Sequence, residues 1–165
     1  MGEKTRAGLK IAFQAEAEAY FRNLAFADQA IKDGYPQIAH MFRAIAEAEA
    51  VHCRNALKLR GVVKDTETNL QTAFERELLA KNEKYPELIR DAEAEGERPA
   101  ALIFSRARDV EEMHATIYKH ALDNLMEERE ALYFVCGVCG YIAEGRIPDE
   151  CPVCQAKPEK FREVK

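Results

Sequence analysis

The chain has 165 residues, 47% hydrophobic and 32% charged, which gives room for one ordinary domain plus a small appendage and excludes a (β/α)₈ barrel of ~250 residues. Its 24 Lys and Arg against 29 Asp and Glu leave a net charge of −5 with no basic stripe, which argues against a nucleic-acid or anionic-membrane partner. The longest uncharged apolar stretch, 131–143, is broken by Gly137 and Gly140 and falls short of the ~20 residues that cross a bilayer. Because Met1 to Arg6 lead into a charged helical pattern rather than an apolar signal segment, the expected location is the cytoplasm.

Composition changes near residue 131, from Ala, Glu, Leu, Lys and Arg to Cys, Gly, Pro and Val, which sets expected domains of 1–130 and 131–165. Helix breakers at 33–36, 61–65 and 96–99 divide the first into four helices, approximately 4–32 (A), 36–60 (B), 66–95 (C) and 99–130 (D). Pro86 falls inside C and is expected to bend it, since proline lacks the amide donor and clashes with the preceding turn.

Each helix carries an apolar stripe at a spacing of three or four, pointing inward in a bundle. The stripe of A contains Leu9, Phe13, Tyr20 and Leu24, that of B Ile38, Phe42, Ile45 and Leu59, that of C Leu70, Phe74, Leu78 and Leu88, and that of D Phe104, Tyr118 and Leu125. Glu16, Glu49, His52, Glu77, Glu111 and His114 interrupt these stripes. A carboxylate withdrawn from water without a partner costs more than a domain's net stability of about 5–15 kcal/mol, so something must neutralise the four glutamates. No Arg or Lys lies on the stripes to do it.

Their heights agree as well. Glu16 and Glu49 have their midpoint at 32.5, beside the turn at Gly34, and Glu77 and Glu111 have theirs at 94, beside Gly96. Glu49-x-x-His52 and Glu111-x-x-His114 have the i,i+3 spacing that puts both side chains on one helix face. The pattern, one Glu from each of two helices and Glu-x-x-His from each of the other two, resembles the ligand set of ferritin-like di-iron carboxylate proteins. Carboxylate oxygens with one imidazole per metal suit Fe or Mn better than Zn. Glu18, Glu47, Glu112, His40 and His120 fall off the stripes and read as solvated, and Cys53 reads as a small buried side chain.

In the C-terminal part, Cys136-x₂-Cys139 and Cys151-x₂-Cys154 are separated by eleven residues. Two such turns close a tetrahedral thiolate site, and the spacing by itself fits zinc or iron. Gly140 and Pro152 allow tight turns whose backbone N–H groups point at sulfur.

With both halves in view, the chain resembles the rubrerythrins over essentially its whole length. The likeness rests on Ala12-Phe13-x-x-Glu16, Ala46-x-x-Glu49-x-x-His52, Tyr85-Pro86, Glu111-x-x-His114 and the knuckle from Cys136 to Cys154. It implies an all-α four-helix ferritin-like bundle with a small C-terminal rubredoxin-like metal knuckle. It also implies a peroxidase of oxidative-stress defence, which reduces hydrogen peroxide to water with electrons from NAD(P)H through a reductase or rubredoxin. Carried over residue by residue, Glu16, Glu49, His52, Glu77, Glu111 and His114 hold two Fe, with Mn or Zn as possible substitutes and Glu49 and Glu111 as bridges. Cys136, Cys139, Cys151 and Cys154 hold one Fe, with Zn possible, and Tyr85 matches an outer-shell tyrosine. Members are homodimers in which the FeS₄ centre of one subunit approaches the di-iron site of the other. Two positions depart from the family: Ala80 stands where rubrerythrins have a further glutamate that exchanges with the helix-B histidine, and Asn23 replaces a tyrosine.

The linker between B and C adds an expectation about assembly. In a ferritin-like bundle B and C run parallel, and from the metal plane down B and back to the start of C the axial gap is roughly 30 Å. Residues 61–65 reach only about 20 Å fully extended, so a helix-swapped dimer is expected, in which A and B of one chain complete a bundle with C and D of another. The rival readings are an iron-oxidising, ferritin-like protein that uses oxygen at the same six ligands, and a zinc-binding module fused to a bundle. A storage protein has no use for an electron-input module, which disfavours the first.

Overall fold

The structure, a computed structural model, describes residues 1–125 and 131–165 and divides into two compact units, Met1–Lys64 and Asp65–Lys165. The first unit is a helical hairpin of α1 (Glu3–Lys32) and α2 (Pro36–Leu59). Its turn needs a left-handed residue, and Gly34 supplies it at φ +83°. The amides of Gly34 and Tyr35 then reach back to the carbonyls of Ile31 and Ala30 at 3.1 and 2.8 Å, the Schellman ending of a helix. Pro36 opens α2, where its missing N–H costs nothing.

The hairpin closes on small residues. Ala27, Ala30 and Ala39 are buried together with Phe42 packed against them, and the Phe26 and Phe42 rings meet edge to face at 5.5 Å. All five buried residues of this unit are alanines, whereas Ile38, Ile45 and Leu59 keep 38%, 39% and 63% of their surface exposed.

The second unit begins with α3 (Thr66–Leu79), passes through a π-helical segment (Ala80–Lys84) into α4 (Tyr85–Ala94), and returns as α5 (Arg98–Asp123). All four expected helices are therefore present, with C in three pieces. The irregularity expected at Pro86 takes the form of the π segment just before it: the Tyr85 N–H donates to Ala80 O, five residues back. This wider turn shifts the ladder where Pro86 has no donor to give. Helix D is shorter than expected. It stops at Asp123, because Asn124 leaves helical geometry and its side-chain amide donates to His120 O at 2.8 Å; the last five residues of the expected helix, 126–130, lie outside the described residues. Ala92, Val110 and Ala115 form the buried positions of the helical part.

The C-terminal part is a three-stranded antiparallel sheet of β1 (Tyr133–Cys136), β2 (Ile142–Glu144) and β3 (Phe161–Val164) in the order β2-β1-β3. Val135 pairs with Ile142 and Cys136 with Phe161. Its core consists of Cys136, Ala143, Cys151 and Phe161. Among the described residues no helix is long and apolar enough to cross a membrane.

The start of α3 is set by Asp65, whose carboxylate accepts from the Thr68 amide at 2.9 Å and from the Thr68 hydroxyl at 2.8 Å. Asp65→Ala is expected to cost about 1 kcal/mol, read as an earlier urea midpoint of the helical circular dichroism signal; an unchanged midpoint would show that this cap contributes nothing.

Candidate metal centres

In the first unit the hairpin places Glu16 on α1 opposite Glu49 and His52 on α2. His52 Nδ1 lies 2.9 Å from Glu49 Oε2 and 3.7 Å from Glu16 Oε1. One donor atom from each of the three falls within 4.8 Å of the others. Within this unit the His52 side chain remains 57% exposed, so the cluster lies open on one side.

The second unit repeats the arrangement with Glu77 from α3 and Glu111 and His114 from α5, again with mutual donor distances under 4.8 Å. His114 Nδ1 is 3.1 Å from Glu111 Oε2. Burial, a hydrogen bond shared with Glu111 and the charge of Glu111 push the Glu77 carboxyl up to about 7, against the opposing pull of His114. Two carboxylates this close cannot both ionise freely, so a proton or a cation must sit between them. Tyr85, at the head of α4, hydrogen-bonds Glu111; burial first and the Glu111 charge second raise its phenol.

Each cluster thus offers two carboxylates and one imidazole nitrogen, and the nitrogen set beside Glu16, Glu49 and Glu111 is that of the cluster's histidine, at 3.7, 2.9 and 3.1 Å. Lysine or arginine would mark a structural salt-bridge network. Hard oxygen donors with one nitrogen, partly withdrawn from water, fit a divalent first-row ion such as iron.

The four cysteines of the knuckle form the third cluster. Cys136 and Cys154 sulfurs are 3.7 Å apart and those of Cys139 and Cys151 3.6 Å. That is far from a disulfide of ~2.05 Å and close to the edge, about 3.75 Å, of a tetrahedron with ~2.3 Å metal–sulfur arms. Backbone amides aim at the sulfurs as expected. Burial raises the Cys136 thiol, but amides of Val138 and Cys139 together with neighbouring thiols outweigh it and hold Cys136 below its ordinary value. Burial lifts Cys139 and Cys154 above theirs, although the Tyr141 and Ala156 amides oppose it. Gly137 sits in a tight place: its amide donates to Lys160 O at 2.8 Å, and a Cβ there would sit 3.2 Å from the same oxygen, which would have to give by a few tenths of an ångström.

The structure therefore gathers the sequence-predicted residues into three groups: Glu16, Glu49 and His52; Glu77, Glu111 and His114 with Tyr85; and the four cysteines. The residues read as solvated lie outside them. Glu18 pairs with Arg22 and Glu112 with Lys81 at the surface, and His40 and His120 are exposed. Cys53 is half-buried, its thiol 3.9 Å from Phe13 O. One participant escaped the sequence reading: the Gly140 carbonyl lies 3.3 Å from His114 Nε2. A backbone oxygen carries no residue signature, so nothing in the spacing announced it.

The Rubrerythrin family model matches residues 8–122, and the model for the rubredoxin-like domain of rubrerythrin matches residues 134–162. Nigerythrin of Nitratidesulfovibrio vulgaris is 32% identical over 95% of this chain and 85% of its own. Rubrerythrin of Porphyromonas gingivalis is 32% identical over 98% of this chain and 90% of its own. Among solved structures, nigerythrin in its fully reduced, all-ferrous state superposes with a TM-score of 0.60 at 29% identity, covering 99% of this chain and 88% of that one.

The raised Glu77 carboxyl makes the metal-free protein pH-sensitive in a defined direction. A group that holds its proton more tightly folded than unfolded adds stability below pH 4.5, and this contribution is lost as pH rises through about 7. In Glu77→Gln, which mimics the protonated form, chelator-treated protein is expected to match wild type in thermal midpoint near pH 5 and to exceed it near pH 8. Equal midpoints at both values would refute the shared proton.

Proposed function

The chain belongs to the rubrerythrin family, and from that membership and the three donor clusters we propose that it is a non-haem di-iron peroxidase reducing hydrogen peroxide to water. The single observation that carries the reading is the coexistence, in one chain, of two matching Glu, Glu-x-x-His sets and a four-thiolate knuckle. In it the six residues Glu16, Glu49, His52, Glu77, Glu111 and His114 hold two Fe, and Cys136, Cys139, Cys151 and Cys154 hold a third. Residues 1–130 act as the peroxide-reducing domain and 131–165 as the electron-input domain, supplied by rubredoxin or an NAD(P)H-dependent reductase. Free thiols grouped for metal suit a reducing compartment such as the cytoplasm.

A di-iron centre supplies two one-electron reductants side by side, the number that the two-electron cleavage of an O–O bond requires. The protein's own task is to hold donors and protons. Glu49 and Glu111 each carry a histidine at i,i+3 that fixes the carboxylate against one helix face. Tyr85 keeps its phenolic proton because its acidity is suppressed, and it presents that O–H to Glu111. With iron held there, Tyr85 would be the group placed to supply a proton to oxygen leaving the site. Cys136, Cys139, Cys151 and Cys154 would leave a bound iron no open position, so that site would pass electrons and leave peroxide to the carboxylate residues.

Assembly follows from the linker. Val62 N–H returns to Leu57 O at 3.3 Å and Gly61 N–H to Lys58 O at 3.0 Å, so the start of the connection is curled onto the end of α2, and Asp65 already caps α3. Only Val63 and Lys64 remain between Val62 and Asp65, a reach of about 10 Å, against a traverse of roughly 27 Å from His52 along α2 and from the start of α3 to the level of Glu77. We propose that the hairpin of one chain completes its donor set with the second unit of another, in a swapped homodimer.

Three irons per chain with steady reduction of peroxide, faster than consumption of oxygen under excess reductant, is the expected result. Faster oxygen use that deposits ferric iron would favour the ferritin-like alternative, and a colourless zinc protein would exclude both. Tyr85→Phe should lower peroxide turnover by about 10²-fold with iron content unchanged. Light scattering should give twice the 18.7 kDa chain mass; a monomer with all three irons bound would rule out the exchange.

A further inference from the structure

From Thr66 to Ala94 the chain is helical without a break, α3, the π segment and α4 following one another directly, and Leu79, Ala80, Lys84 and Tyr85 all keep right-handed helical dihedrals. Glu77 and Tyr85 stand eight residues apart in it. Eight regular α-helical steps would leave Tyr85 ~80° round the helix from Glu77, whereas seven would bring it within ~20°. A π turn takes up one extra residue. The side chains show the second case: the Tyr85 phenol hydrogen-bonds Glu111 and lies within reach of the Glu77 charge. Ala92, seven residues beyond Tyr85 and so on the same face of α4, is 6% exposed. Because α3 and α4 both pack on α5, the inward face must stay continuous from Glu77 to Ala92, and one surplus residue has to be absorbed between them.

Where it is absorbed decides what Tyr85 faces. Taken up before Tyr85, the surplus brings the phenol into line with Glu77; taken up after it, the phenol turns away while Ala92 stays inside. The backbone ladder shows what fixes the place. Tyr85 N–H passes over Lys81 O, its regular α-helical partner, and donates to Ala80 O, and the next residue, Pro86, has no N–H. The skipped carbonyl and the missing donor fall side by side, so one break in the ladder serves both. A surplus placed further along would leave a second break. Pro36 and Pro99 stand in first turns, where a missing amide interrupts nothing, and α1, 30 residues without a proline, contains no π turn.

We infer that Pro86 is a positioning residue: it pins the surplus residue of this helix between Glu77 and Tyr85, and so keeps the Tyr85 phenol on the face of Glu77 and Glu111. Its effect on turnover rests on the reading of Tyr85 as proton donor; the backbone pairing does not.

Pro86→Ala restores the amide and frees the surplus to slide past Tyr85. In isotopically labelled, full-length protein loaded with zinc, which is diamagnetic, NMR coupling across the hydrogen bond from Tyr85 N–H is expected to reach the Ala80 carbonyl in wild type and the Lys81 carbonyl in Pro86→Ala. The iron-loaded variant should lose about tenfold in peroxide turnover, in kcat rather than KM, with iron content unchanged. Deleting the exposed Glu83 removes the surplus itself. Combined with Pro86→Ala, that deletion should return the Tyr85 amide to Ala80 O, now four residues back in an ordinary α-helical bond, and recover most of the turnover. Pro99→Ala should change neither readout. An Ala80 partner that persists in Pro86→Ala, or a combined variant as slow as Pro86→Ala alone, overturns the positioning role. If Tyr85→Phe turns over peroxide as fast as wild type, the proton-donor reading fails, and the partner of the Tyr85 amide still decides whether Pro86 sets the phase.

Discussion

The constraint on which the rest depends is electrostatic: four glutamates stand on inward helix faces where their charges need a partner. The partner each cluster supplies is a histidine three residues along the same helix, at 2.9 Å on α2 and 3.1 Å on α5. One imidazole cannot balance two carboxylates, and the residual imbalance is visible in Glu77, which keeps a proton to about pH 7. The proton there occupies the role that a cation fills better, since a divalent ion accepts all the oxygens at once. The metal requirement follows from charge that the fold creates and does not itself neutralise.

The same incompleteness appears in packing. Alanines at 27, 30 and 39 let α1 and α2 approach closely, which brings Glu16 within reach of His52, but they bury little apolar surface. The larger side chains of the stripe, Ile38 and Ile45 among them, stay more than a third exposed in the unit. The hairpin therefore holds three candidate donors on the same stripe as partly exposed apolar side chains.

What was legible in the sequence is what depends on short, fixed spacing. Gly34, Gly61 and Gly96 mark helix ends because only a left-handed residue turns the chain there; Glu49 with His52 and Glu111 with His114 share a face because i,i+3 neighbours always do in a helix; paired Cys-x₂-Cys turns gather sulfurs because their geometry allows little else. What was not legible depends on hydrogen-bond competition or on tertiary approach. Pro86 announced an irregularity, but whether the helix bends or widens is settled by which carbonyl captures the Tyr85 amide, and Ala80 captures it. Asn124 ends α5 at Asp123, its side chain taking the His120 carbonyl. The approach of His114 Nε2 to Gly140 O joins residues 26 apart through a backbone oxygen, a contact with no side-chain pattern to betray it.

Ala80 brings these strands together. It stands three residues after Glu77, where the family resemblance calls for another carboxylate, and it is also the residue at which the π segment begins. Beyond it, Lys81 reaches Glu112 at 2.6 Å and so ties the widened turn to α5 beside Glu111. The segment is thus committed to backbone geometry and to a surface ion pair, and alanine offers no oxygen to a metal. On the proposed reading each half of the centre then has the same three donors, two carboxylates and one imidazole. Position 80 therefore holds no carboxylate in reserve beside Glu77, and the polar group nearest that donor pair on the same stretch of chain is the Tyr85 phenol, hydrogen-bonded to Glu111.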